Sequence, residues 1–221
     1  MKSAVRLLAC VVAICTAFLL CSCSLYDILG IDTHDYAAEA KIADISIDSD
    51  VASEFLDMIP LMVQNSPYLS DFDTPSKAAE LYRNSILCFI LARNFAKYNA
   101  NVDLITRTRE EYPTYELTTV IPALDFESTV YRYFGGTASV SNASTKLFTY
   151  LDRVDAYVSV GIGVDSDADV EIAEFYETEN TYVCRFTCTM NGETSPIYKA
   201  LLMKREDETF YIKTLTTEKA E

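Results

Sequence analysis

Two hydrophobic periods divide this chain. From about residue 50 to 98, apolar side chains recur at helical spacing, and beyond about residue 154 they alternate with polar ones. Val51, Phe55, Met58, Ile59 and Met62 share one helical face behind Asp50, a favourable N-cap. Pro60 is expected to kink or divide this helix, and Asn65-Ser66-Pro67 to end it. A second helix is predicted from Pro75 to about Tyr98, capped by Asp73 or Thr74 with Pro75 in its first turn. Its residues 86–92 are apolar on every side, as in a centrally buried helix, and the run is far too short to cross a bilayer.

The pattern changes after Asn99-Ala100-Asn101. Val102 to Arg109 and Thr114 to Ile121 are rich in β-branched residues, which predicts two strands paired around residues 110–113. Pro122 opens a third helix carrying Leu124, Phe126, Val130, Tyr131 and Phe134, and Gly135-Gly136 stops it. Residues 143–152 are expected to add a short helix. Strands are expected near 154–163, 170–177, 181–190, 196–204 and 209–217, with turns at 179–180, Asn191-Gly192 and 206–208. Short connections imply antiparallel pairing. The segregated order defines an α+β fold, with N-terminal helices packed on a curved antiparallel sheet formed mainly by the C-terminal half.

The first residues follow neither pattern. Lys2 and Arg6 precede an uncharged apolar run from Leu7 to Leu20, the form of a secretory signal. Its ending, Leu20-Cys21-Ser22-Cys23, resembles the lipobox of bacterial lipoproteins, with Leu20 and Ser22 at matching places and Cys21, similarly small, standing where Ala, Ser, Thr or Val is usual. The resemblance implies cleavage before Cys23, lipidation of Cys23, and a chain anchored on the extracytoplasmic face of a cell membrane. The organisation would then be a signal over 1–22 and a lipidated cysteine with its tether over 23–49. Ala37 to Ile47 has helical character within that tether, and a single α+β domain covers 50–221. The alternative is an ordinary signal cleaved after Ser22 or Ser24, which releases a secreted protein.

Charge narrows the partners. The chain carries a formal −15, and loss of Lys2 and Arg6 with the signal takes it to −17. So acidic a surface argues against nucleic acid and anionic head groups, and permits basic partners or cations. Half of the residues are hydrophobic, which argues against disorder. Only six glycines occur, and Gly-rich phosphate loops are missing, so no nucleotide cofactor is expected. After signal removal and use of Cys23, Cys88, Cys184 and Cys188 remain. Cys184 and Cys188 fall on the apolar face of one strand, about 13 Å apart and too far to join directly. They read as small core hydrophobes, with Cys88 pairing to either as the alternative.

Candidate chemistry is sparse. His34 is the only histidine and lies in the tether, where it cannot serve a rigid nucleophile–base pair or a multi-histidine metal site. Asp165-Ser166-Asp167-Ala168-Asp169 begins like a calcium loop. Val170 stands where glycine is needed and Tyr176 where glutamate is, so an acidic solvated turn is the favoured reading. Asp44, Asp48, Asp50, Asp71 and Asp73 precede helices and read as caps. Tyrosines 112, 115, 131, 133, 150 and 157 either close the core or line a cleft for sugars or peptides, and the core reading takes precedence. No catalytic residue, cofactor or metal ligand is assigned.

The element order over residues 50–217 resembles the NTF2-like and cystatin-like group, in which a curved sheet wraps helices into a cone. That group holds enzymes as well as binding modules, so the resemblance leaves activity open. A non-catalytic envelope module comes first, binding a protein, peptide or small ligand besides its membrane anchor. The alternatives are an envelope hydrolase or isomerase using Asp/Glu and Tyr, and a solute-binding lipoprotein.

Overall fold

The computed structural model describes residues 34–63, 66–136, 140–160 and 168–218. The chain falls into two units, Met1–Glu39 and Ala40–Glu221. In the described part of the first, Asp35 caps a single 3-10 turn at Tyr36–Ala38. His34 Nε2 lies 2.8 Å from Glu39 Oε1. The helical character expected over 37–47 therefore ends at this one turn.

In the second unit, β1 (Ala43–Asp44) precedes helix α1 (Asp50–Met58). Ser49, not Asp50, is the N-cap, and its hydroxyl accepts from the Ala52 amide at 3.2 Å. Asp50 sits in the first turn, where a carboxylate favours the positive helix end. Pro60 has no amide to continue the α pattern, and the chain tightens into a 3-10 turn at Ile59–Leu61. Thr74 caps α2 (Pro75–Arg93). Asp71 is no cap: it accepts from the Thr217 amide and hydroxyl at 2.8 and 2.6 Å, tying the approach to α2 onto the sheet. Ile86 to Leu91 are all buried. The helix breaks at Asn94, and α3 (Phe95–Tyr98) follows as a separate turn.

The hairpin expected over 102–121 does not form. Val102–Glu111 is helix α4, and only Thr119–Pro122 is strand, β2. Asn101 decides this locally, since its side chain accepts from the Leu104 amide at 3.2 Å and closes the N-terminus. Asp103 and Arg109 complement the two helix ends, and Leu104 and Ile105 pack on a small apolar cluster. Capping and packing outweigh the weak helix preference of the β-branched residues.

Helix α5 (Ala123–Phe134) follows β2, and Gly135 ends it with φ +71°. A Cβ there would stand 2.3 Å from the Tyr211 ring, so position 135 needs glycine twice over. Residues 143–152 form no helix: a loop leads into β3 (Thr149–Leu151). Asn84 Oδ1 holds that loop from α2, accepting from the Thr145 hydroxyl at 2.7 Å and the Leu147 amide at 3.3 Å.

The remaining strands are β4 (Ala156–Ser159), β5 (Asp169–Glu177), β6 (Thr181–Met190), β7 (Glu193–Thr194), β8 (Tyr198–Lys204) and β9 (Phe210–Thr217). The larger sheet runs β1-β5-β6-β8-β9, with β7 folded back on β6 after Asn191-Gly192, and the smaller runs β2-β4-β3. All pairings are antiparallel. Register shifts at Ala173 and Lys213 bend the larger sheet. Cys184, Phe186, Cys188 and Met190 lie buried on one face of β6, as the alternation predicts. Phe55 of α1 packs there, 5.3 Å from the Phe186 ring and 5.8 Å from that of Phe175. Phe134 of α5 meets Phe72 at 5.5 Å and stacks on Tyr82 of α2 at 6.5 Å. The fold is α+β, as the segregated element order indicates.

Candidate binding cleft

A cleft of about 270 Å³ opens between α1 and the start of β5. Leu56, Ile59, Pro60 and Val63 form one wall, and Ala168, Asp169 and Val170 form the other. Pro60 shapes the first wall by turning the chain into the 3-10 conformation. Leu56 is exposed at the rim, while Ile59 and Val63 are buried at its base. Ala168 and Val170 lean against the main core, and Asp169 is solvent-exposed. The volume lies at or below the lower end for sites that enclose a whole small molecule. It suits one apolar side chain or a fragment better than a complete solute.

The two ends of β5 differ in charge partnering. Near its C-terminal end, Arg185 grips Glu218 with two nitrogens, Nε to Oε1 at 2.9 Å and Nη2 to Oε2 at 2.5 Å, and reaches Glu174 at 3.5 Å. Lys204 Nζ meets Glu177 Oε1 at 2.7 Å. Lys41 pairs with Asp44 on β1. Asp169 and Glu171, at the other end, are exposed acids beside the cleft.

The tyrosines do not gather in one cleft. Tyr112 donates to Asp152 at 2.5 Å and lies near Tyr115. Tyr131 and Tyr211 sandwich the Arg205 guanidinium. Tyr133 packs on Phe89 in the core. Tyr150 donates to Asp155 at 2.6 Å, which pushes its hydroxyl up to about 12. Tyr157 is fully buried and donates to Asn142 at 2.7 Å; burial raises it to about 12. Closure of the core and anchorage of loops account for most of them.

Polar groups around α2 serve the loop after α5. Arg83 is 8% exposed and donates from Nη2 to the Ser141 carbonyl at 2.6 Å. Among the described residues its Nε has no hydrogen-bond partner, nor has the Ser159 hydroxyl, while the Phe126 ring faces the guanidinium at 5.9 Å. A cation over an aromatic face recovers part of what desolvation takes away. Glu54 on α1 is half-buried, and burial raises its carboxyl above the ordinary range, against the opposing pull of Arg132. It lies outside the cleft walls.

Among the described residues no disulfide joins Cys88, Cys184 and Cys188. Burial pushes the Cys88 thiol up to about 11 and Cys188 to about 12, with Cys184 raised further. Such thiols are inert core groups. Cys23 and the acidic run Asp165 to Asp167 lie outside the described residues. Among the described residues no cluster of three or more His, Cys, Asp or Glu could hold a metal ion, and no helix is long and apolar enough to cross a membrane.

Comparison of the chain with family models, curated proteins and solved structures finds no match. The cleft itself was not foreseen from the sequence. The helical period places Ile59 on the core face of the first helix, but its neighbours at the cleft, Ala168 and Val170, come from more than a hundred residues away. Only the break at Pro60 signals the place, since the chain must leave the α conformation there.

Proposed function

We propose that this chain is a non-catalytic binding module, anchored through a lipid on Cys23 to the outer face of a bacterial membrane. The observation that carries the anchor is the Leu20-Cys21-Ser22-Cys23 ending behind an apolar run with two leading cations. The cleft between α1 and β5 supports the binding role, being open, walled by Leu56, Ile59, Pro60 and Val63 opposite Ala168, Asp169 and Val170, and too small to enclose a typical metabolite. Dual acylation would make the anchoring stable, while a single chain would leave it reversible.

Mass spectrometry of the full-length protein, extracted gently from its own membrane, tests the anchor. The expected species begins at Cys23 and carries acyl mass, and Cys23→Ala abolishes the modification. An unmodified chain beginning at Cys23 or Leu25, after cleavage behind Ser22 or Ser24, would make it a secreted protein.

A further inference from the structure

We propose that the open half of β5 takes up an extended segment of another polypeptide by strand addition, and that this segment alternates apolar and basic side chains. The inference rests on reading the adjoining cleft as a binding site and names what occupies it. β5 pairs with β6 along its length. On its other side, β1 meets only Glu177 and Tyr176, with the Ile45 amide reaching the Phe175 carbonyl at 2.9 Å. From Asp169 to Ile172 no strand lies there among the described residues. The bulge at Ala173 separates the covered half from the open one. An unpaired strand edge is a template for a further strand.

The side chains along that edge specify the guest. Val170 and Ile172 turn toward the core, and Asp169 and Glu171 face solvent. An added strand presents its own side chains to the same two faces in alternation. The inward residue beside Val170 therefore meets the cleft wall of Leu56, Ile59 and Val63, whose volume admits one apolar group. The intervening residues stand beside Asp169 and Glu171, where Lys or Arg is attracted and Asp or Glu repelled. A second copy of this chain would bring the same two carboxylates to the edge, so self-pairing is disfavoured. The ladder is four residues long, which suits a weak and reversible interaction.

The test uses full-length protein in detergent and three labelled octapeptides: alternating Val-Lys, alternating Val-Glu, and a block peptide of four Val followed by four Lys. Fluorescence polarisation gives affinity, and amide hydrogen exchange gives the place. The alternating Val-Lys peptide should bind at least about tenfold more tightly than either other peptide, one decade being about 1.4 kcal/mol. It should also slow exchange at 169–172. The exposed double variant Asp169→Lys/Glu171→Lys should reverse the preference toward Val-Glu. Equal binding of the block peptide, or protection elsewhere, would overturn strand addition in favour of diffuse charge attraction. Dimerisation of Asp169→Asn/Glu171→Asn without peptide binding would overturn it too, since the acids would then serve only to keep copies apart. Indole, followed by NMR shifts at Val63 and Val170, separates the two readings. If indole binds and no peptide does, the cleft stands and strand addition falls; if neither binds, both fall.

Discussion

The two sheets of this protein are held by very different amounts of interior. The larger sheet lies against α1, α2 and α5 over one continuous apolar core that runs from Ala52 to Leu215. The smaller sheet has a cluster of its own made of Leu117, Val120, Leu151, Ala156 and Val158, with Leu104, Ile105, Tyr112 and Val154 packed at its margin. β4 belongs to both. Its Tyr157 points into the main core, while Ala156 and Val158 on either side face the small cluster. β2 does the same, with Ile121 in the main core and Val120 in the small cluster, so both strands couple a deep core to a shallow one. The shallow part should open first, because few buried contacts oppose its exposure.

Truncation in each core measures the difference. Phe186 is fully buried at the centre of β6, between Phe55 and Tyr198. Phe186→Ala should cost about 3–5 kcal/mol in urea unfolding. Leu151 is also buried, but in the small cluster near the surface. Leu151→Ala should cost about 2 kcal/mol, since the site can collapse around the gap. Thiol labelling sharpens this result. Cys88, Cys184 and Cys188 lie in the main core and should stay protected in native Leu151→Ala. Amide exchange at Val120 and Val158 should quicken. Thiol labelling that keeps pace with this exchange would mean that the two sheets open as one.

The joint between them gives the next effect. Tyr157 donates to Asn142 Oδ1, and Asn142 Nδ2 donates to Glu127 Oε1 at 2.9 Å. Tyr157→Phe keeps the ring and removes the donor, leaving the Asn142 carbonyl oxygen without it. The expected loss is about 1 kcal/mol in the same unfolding assay. A neutral result would show that the joint is made by the ring alone.

The same contrast governs how much the amino-acid pattern reveals. The strands of the larger sheet are legible because each carries a run of alternation bounded by turn residues, and Thr181–Met190 has the bounds expected of it. The alternation survives because one face of each strand meets one deep core. In the smaller region, β4 serves two cores and β2 and β3 are three or four residues long, so no period develops. Helix α4 rests on Asn101 and on packing by Leu104 and Ile105, and these outweigh a composition that favours strand. The open edge of β5 could not be read at all, because it depends on where β1 stops pairing. Asp169 is visible in the sequence as part of an acidic run, but not as the rim of a cleft.

Charge produces the smallest expected change, and it returns to the deep core. Glu54 leaves α1 half-buried, with burial the chief influence on its carboxyl and the Arg132 charge opposing it. A raised value means that the folded protein holds the proton more tightly than the unfolded chain does. Its contribution to stability is then fully present below the ordinary glutamate range and is lost as pH rises through the folded value. At neutral pH the ionised carboxylate is a slight cost, screened by its exposure. Glu54→Gln should therefore stabilise at neutral pH by about 0.5 kcal/mol at most. The gain should vanish at about pH 3.5, where the native carboxyl is protonated in both states. Urea midpoints at the two pH values decide the point. A loss at neutral pH instead would place Glu54 under the control of Arg132 and Arg205 and not of the apolar core beneath it.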